Sequence, residues 1–269
     1  MPSRVTLLTD FGTVDGYVGA MKGVIASIAP EALVEDISHD VPHGDLEAAA
    51  WALAAYWARY PIGTIHVVVV DPGVGTERLP LAAWLDGRYV VAPDNGVITR
   101  ALRAAGEVRL HSLDSEEFRL PTVCATFHGR DVFAPAAAHL ACGVALERLG
   151  ASIEEPVLLE LSAAVSSADT VVGRVVHVDR FGNLITDIPV ESLSAQAWVE
   201  LDGTQIGRLV RTYGSVGKGE PLALAGSGGM LEVAVREGSA ARLLGRGRGA
   251  VVRIREAVQG AGVALPVRE

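Results

Sequence analysis

The chain has 269 residues, 49 % of them hydrophobic and 20 % charged, with 13 prolines. That balance excludes a disordered chain and leaves room for one large or two unequal folded units. A formal net charge of −9 without any lysine and arginine block argues against a nucleic-acid partner, because a polyphosphate would be repelled.

The N-terminal stretch MPSRVTLLTDFG enters a strand pattern with no signal-peptide core. No apolar run reaches the roughly 20 residues of a membrane helix. Cys124 and Cys142 fit neither a disulfide framework nor a zinc spacing. A soluble, cytoplasmic protein is the expectation.

From the start, RVTLLT, VGAMKGVIASIA, ALVEDIS, DLEAAAWALAAYWARY and TIHVVVV alternate strand and helix patterns. This predicts an α/β N-terminal domain over residues 1–160, with a mostly parallel sheet and helices on both faces. Val67 to Val70 are apolar at every position, as in a strand buried on both sides. Asp10, Asp36 and Asp71 fall where strands leave such a sheet, at the carboxyl ends that form ligand crevices.

Beyond the small and polar LSAAVSSADT, the segments TVVGRVVHVD, NLITDIP, AWVELDG, TQIGRLVRTY, PLALAG, MLEVAV and AVVRIRE are separated by Gly-rich turns. They predict a smaller all-β, barrel-like C-terminal domain over residues 168–269.

Within this frame, TDFGTVDGY places Asp10 and Asp15 around a tight turn. Both acids suit caps of the following helix. Alternatively Asp10 takes the vicinal hydroxyls of a sugar, since a carboxylate accepts from two donors at once. A phosphate loop would lead with glycines, so a nucleoside fits better than a nucleotide. In DPGVGTER, Pro72, Gly73 and Gly75 turn the chain so that Arg78 returns towards Asp71, either as a structural ion pair or as part of a site. TFHGRD adds His128 in a second Gly-containing loop. APDNG reads as a hairpin turn or helix start. In VDRFGNLITDI, Asp179, Phe181 and Asn183 offer either a turn or an aromatic face and an amide for a base.

Taken together and in order, DFGTVDGYVGAMKG, VVVVDPGVGTER, APDNG, TFHGRD, VDRFGNLITDI and GSGGMLEVAV resemble the S-adenosylmethionine hydroxide adenosyltransferases, relatives of the fluorinases and chlorinases. The resemblance spans both halves of the chain. It implies cleavage of S-adenosylmethionine by water or hydroxide to adenosine and L-methionine, with no metal or other cofactor. It also implies a homotrimer whose sites lie between one subunit's N-domain and its neighbour's C-domain.

Carried over by residue, the resemblance gives Asp71, Arg78 and His128 the attacking water or hydroxide, and Asp10 the ribose. Asp15 and Asp179 fall near the methionine part, and Phe181 and Asn183 near the adenine. Ser227, Glu232 and Val235 match the C-terminal nucleoside contact, Tyr213 is a candidate for stacking on the base, and Tyr17 and Gly129 join the substrate-binding set. The chain departs from the pattern at His43 and Gly44, where relatives place a bulky residue against the ribose, and at Gly226 and Arg236, where asparagine is frequent.

Three other readings compete. A halogenase needs a dry halide pocket, for which Gly129 would leave room, but a halide would meet the Asp71 carboxylate. A two-metal phosphoesterase needs converging carboxylates and imidazoles, and neither a GDxxD nor a GNH[DE] string occurs. A sensor would use the same pocket without turnover.

Overall fold

A computed structural model describes residues 2–167, 170–194 and 196–255, so residues 256–269 of the predicted C-terminal domain and residues 168 and 169 of the predicted linker lie outside the described residues. Two compact units divide between Glu160 and Leu161. Among the described residues no helix is long and apolar enough to cross a membrane.

The first unit is built on strands β1 (Arg4–Thr9), β2 (Leu33–Ser38), β3 (Ile65–Val69), β4 (Pro80–Leu85), β5 (Arg88–Pro93) and β6 (Val108–Ser112) in the order β2-β1-β3-β5-β4-β6. β1 runs parallel to β2 and β3, and β3 is parallel to β5, whereas β4 is antiparallel to both β5 and β6. The sheet is therefore mixed, which corrects the expectation of a mostly parallel one. The cause is local: β4 and β5 are joined by Asp86 and Gly87, with φ of 43° and 86°. A two-residue Asp-Gly turn with both φ positive closes a hairpin, which only antiparallel strands permit.

Helices α1 (Tyr17–Ile28) and α4 (Ala134–Ala141) cover one face of this sheet, and α2 (Leu46–Tyr56) and α3 (Thr99–Ala104) cover the other. α1 buries Val18, Met21 and Ile25, spaced three and four residues apart, against Val5, Leu7 and Val67. Full burial of such side chains contributes roughly 1.5–3 kcal/mol each. Asp45 starts α2 by accepting from the Ala48 amide at 3.0 Å. β3 is buried throughout, and the apolar run Val67–Val70 gives way to a polar residue at Asp71, where the chain leaves the sheet. Asp36 lies inside β2, not beyond its end.

The second unit contains β7 (Val165–Ser166), β8 (Thr170–Val178), β9 (Leu184–Pro189), β10 (Trp198–Leu201), β11 (Thr204–Val210), β12 (Pro221–Ala225), β13 (Met230–Val235) and β14 (Val251–Arg255). The order β14-β10-β11-β12-β13-β9-β8 is closed by pairing of β14 with β8, giving a seven-stranded barrel to which β7 adds on β8. Every pairing is antiparallel except β11 with β12. Val171, Leu184, Val199, Leu231, Val233 and Ile254 fill its interior. Among the described residues, closure leaves no long unpaired edge.

Candidate active site

Asp71 follows β3, and the turn that leaves it doubles back within seven residues. Arg78 then donates from Nε to Asp71 Oδ1 at 2.9 Å and to Oδ2 at 3.1 Å, and its Nη2 also bonds Oδ2. The pair is enclosed, with side-chain exposures of 9 % for Arg78 and 5 % for Asp71. Gly75 permits the tight return: its φ is +77°, and a Cβ there would stand 2.6 Å from the Ala125 carbonyl oxygen. At this point the Asp71 loop presses on the loop that carries His128.

Arg78 Nη2 also lies 2.9 Å from His128 Nδ1. A guanidinium only donates, so Nδ1 accepts, and the ring proton resides on Nε2. Burial, and secondarily the positive charge of Arg78, hold the His128 pKa below its usual 6.5. The imidazole is thus neutral at neutral pH and offers one N–H donor. Arg78 Nη1 is buried without a hydrogen-bond partner among the described residues. Phe133 supports the guanidinium, its ring centroid 5.3 Å from the Arg78 Cζ.

His128 precedes a π-helical turn, Gly129–Phe133, which leads into α4 and is closed by the Ala134 amide bonding the Gly129 carbonyl. Such turns recur at functional sites. Asp131, fully buried, accepts from the Cys124 amide at 2.8 Å and from Arg130, so it ties the start of the His128 loop to the turn that follows.

Asp71 and His128 line one cavity of about 530 Å³ together with Asp10, Tyr17 and Gly129. Asp10 Oδ2 accepts from the Gly44 amide at 2.9 Å and lies 3.1 Å from His43 Nδ1. Its Oδ1 has no hydrogen-bond partner among the described residues. The two departures at His43 and Gly44 therefore grip the acid assigned to the ribose. Asp10 does not cap α1, and neither does Asp15: the helix begins at Gly16 without a side-chain cap. Asp15 is exposed and is not among the residues lining the cavity.

Of the aromatic wall of the cavity, the sequence reading includes Tyr17 and misses Phe11 and Phe127. Phe11, Tyr17 and Phe127 meet edge to face, with centroids 5.2–6.2 Å apart. A Cβ on Gly129 would touch the rings of Phe11 and Phe127 at 3.3 Å. Asn95 is a second omission. Its Oδ1 accepts from the Val97 amide at 3.2 Å, as a helix start would, but its Nδ2 also donates to the Val70 carbonyl at 3.0 Å and pins the residue before Asp71. The one local signal was the Asn-Gly pair, which names a turn and not the strand end it serves.

In the second unit, Asp179 accepts from the amides of Phe181 at 2.9 Å and Asn183 at 2.8 Å and from Asn183 Nδ2 at 2.9 Å. This is the turn reading of VDRFGN, with Phe181 left 76 % exposed at its tip. Glu232 is buried and accepts from the Tyr213 hydroxyl. Burial raises the Glu232 pKa, and burial together with that hydrogen bond pushes Tyr213 up to about 12, the Asp179 charge adding to both. A Cβ on Gly226 would lie 3.0 Å from Glu232 Oε2, so a larger residue there would crowd the carboxylate. Ser227 is exposed in the β12–β13 turn, whereas the Val235 side chain is buried in the barrel core. Arg236 donates to the Val216 carbonyl at 2.7 Å. Among the described residues no group of three or more His, Cys, Asp or Glu could hold a metal ion.

Residues 5–150 match the model of the SAM hydroxide adenosyltransferase N-terminal domain, and residues 173–253 match that of the C-terminal domain. The chain is 42 % identical to an (R)-S-adenosyl-L-methionine hydrolase from Thermus thermophilus, over 93 % of this chain and 98 % of that protein. It is 26 % identical to a fluorinase from an Actinoplanes species, over 86 % and 90 % of the two. The crystal structure of an uncharacterized conserved protein from Thermotoga maritima superposes with a TM-score of 0.88 at 34 % identity, covering 94 % of this chain and all of that one. With both domain models matched in order and the hydrolase relative aligned almost end to end, the chain belongs to the SAM hydroxide adenosyltransferase family.

Proposed function

We propose that the protein hydrolyses S-adenosyl-L-methionine at C5′ of the ribose, giving adenosine and L-methionine. The observation that carries this reading is the Asp71–Arg78–His128 array, whose acid and imidazole share a cavity with Asp10. The sulfonium is already a good leaving group, so the task is to supply and aim an oxygen nucleophile. Water's oxygen forms the C5′–O bond, the C5′–S electron pair goes to sulfur to leave the neutral thioether of methionine, and one proton is released. The step balances with substrate and water alone, so the reading calls for no redox or group-transfer cofactor.

In this reading Asp71 accepts a hydrogen bond from the water, and Arg78 and the Nε2–H of His128 stabilise negative charge growing on its oxygen. Asp10 pins the ribose through Oδ1, holding oxygen, C5′ and sulfur in line; orientation of this kind supplies up to ~7–11 kcal/mol in the best cases. Tyr17 and Gly129 shape the wall, and Asp15 belongs to the methionine end. Asp179, Phe181, Asn183, Tyr213, Ser227, Glu232 and Val235 are assigned to nucleoside and methionine contacts. A homotrimer in the cytoplasm completes the reading.

Incubation with S-adenosylmethionine, with and without fluoride or chloride and with a chelator, tests the proposal by chromatography of the products. Adenosine and methionine are expected in every condition. A 5′-halo-nucleoside would move the reading to the halogenases, and unchanged substrate would reduce the protein to a binder.

The pH profile tests the histidine. A protonated His128 would aim Nδ1–H at a guanidinium that has only donors, so the neutral ring is the competent form. Because its pKa is lowered, kcat/KM is expected to stay level through pH 6.5 and to fall only as pH drops through that lowered value. A profile that instead rises as pH drops through that range would remove the neutral imidazole from the mechanism.

A further inference from the structure

Asp10 follows β1, and what holds that exit in shape is a chain of polar groups, buried at Thr9 and His39, that the proposed reaction does not use. The Phe11 amide donates to Thr9 Oγ1 at 3.2 Å, and Thr9 Oγ1 lies 2.8 Å from His39 Nδ1. Thr9 and His39 are 0 % and 6 % exposed. His39 grips the same loop a second time through its backbone, whose carbonyl accepts from the Gly12 amide at 2.8 Å. On its far side, His39 Nε2 lies 3.0 Å from Asp36 Oδ1, near enough for the carboxylate to favour a proton on Nε2 although the angle falls outside that of a hydrogen bond. Asp36 Oδ2 in turn accepts from Lys22 Nζ of α1 at 2.6 Å.

We infer that His39 is the positioning residue of the Asp10 loop. Thr9 is fastened to the imidazole, Phe11 to the Thr9 hydroxyl and Gly12 to the His39 carbonyl, leaving Asp10 as the residue between fixed points. Burial makes this fastening specific. With Nε2–H facing a carboxylate, which only accepts, Nδ1 is left to accept the Thr9 hydroxyl, and Thr9 keeps a lone pair for the Phe11 amide. An apolar residue at position 39 leaves that hydroxyl buried without its partner, so Thr9 turns to find another and releases Phe11. The consequence for substrate rests on the proposed function, in which Asp10 holds the ribose. The fastening itself does not.

Two readouts on the full-length protein separate these levels. In His39→Leu the Phe11 amide is expected to exchange with deuterium about tenfold faster while the Val67 amide in β3 keeps its protection, a local opening and not a global one. Adenosine binding is expected to weaken about tenfold in His39→Leu and equally in Thr9→Val, which is nearly isosteric and leaves the imidazole in place. His39→Asn, whose Oδ1 stands near the former Nδ1, recovers most of both effects. Because His39 acts through Asp10, adding His39→Leu to Asp10→Ala costs no further affinity, whereas independent structural damage would add. Unchanged Phe11 exchange in His39→Leu, or additive losses in the double variant, overturns the inference. Faster exchange with Asp10→Ala binding adenosine as tightly as wild type supports the fastening and removes Asp10 from the ribose.

Discussion

Arg78→Ala is expected to lower turnover of S-adenosylmethionine by about 10³-fold while adenosine still binds within a few-fold of wild type. Loss of a single preorganised donor to developing charge costs about 10²–10³, and this substitution removes more than one. It frees Asp71 from its bidentate clamp, takes the donor from His128 Nδ1, and deletes the unpaired Nη1. The ring of His128 then has no reason to keep its proton on Nε2. Stability falls as well, since an enclosed carboxylate stripped of its partner costs about 3–5 kcal/mol. A melting curve recorded beside the kinetics separates that loss from catalysis. Arg78→Lys is expected to recover part of the stability and little of the rate, because one ammonium cannot span Asp71 and His128 in a plane. Turnover within tenfold of wild type in Arg78→Ala would remove the guanidinium from the chemistry.

Gly75→Ala is expected to cost about 10²-fold in kcat/KM although position 75 is not in the proposed catalytic set. The added Cβ would sit 2.6 Å from a backbone oxygen, which cannot swing aside as a side chain does, at a φ that costs an alanine roughly 1–2 kcal/mol in its own right. The chain relieves both by parting the Asp71 loop from the His128 loop at Ala125. A displacement of about 1 Å is enough for a loss of that order when alignment carries the rate. Gly63→Ala is the control, since its φ is +85° and its Cβ would meet nothing within 4 Å, so it carries the backbone strain without parting the two loops. Equal losses in the two variants would show that loop apposition at Gly75 is unimportant.

How far the residues announced this arrangement depends on the range of the interaction. Asp71 and Arg78 were legible because the intervening Pro-Gly-rich turn is itself local, and the strand patterns of the second unit were legible from their own alternation. The hairpin that makes the first sheet mixed was equally local, in Leu85-Asp-Gly-Arg88, but the surrounding βαβ rhythm overrode it. Asp15 shows the opposite failure, since an acid before a helix suggested a cap that the Gly16 start does not use, whereas the Asp179 carboxylate is taken up by the turn that its own sequence offered. Asn95 and His39 act on Val70 and Thr9, 25 and 30 residues away, across neighbouring elements. No spacing rule within the chain connects such partners, and the meeting of Phe11 with Phe127 is hidden in the same way.

The π turn at Gly129–Phe133 has a consequence for how this loop tolerates changes in length. A π turn holds one residue more than a regular helix needs, and each residue advances an α-helix by about 100°. Shortening the segment by one would let it relax into unbroken helix with α4, better hydrogen-bonded than before, and would rotate His128 by that angle away from Arg78. The most comfortable backbone here and the working one are therefore different. Residue count in this segment is as much a part of the site as residue identity.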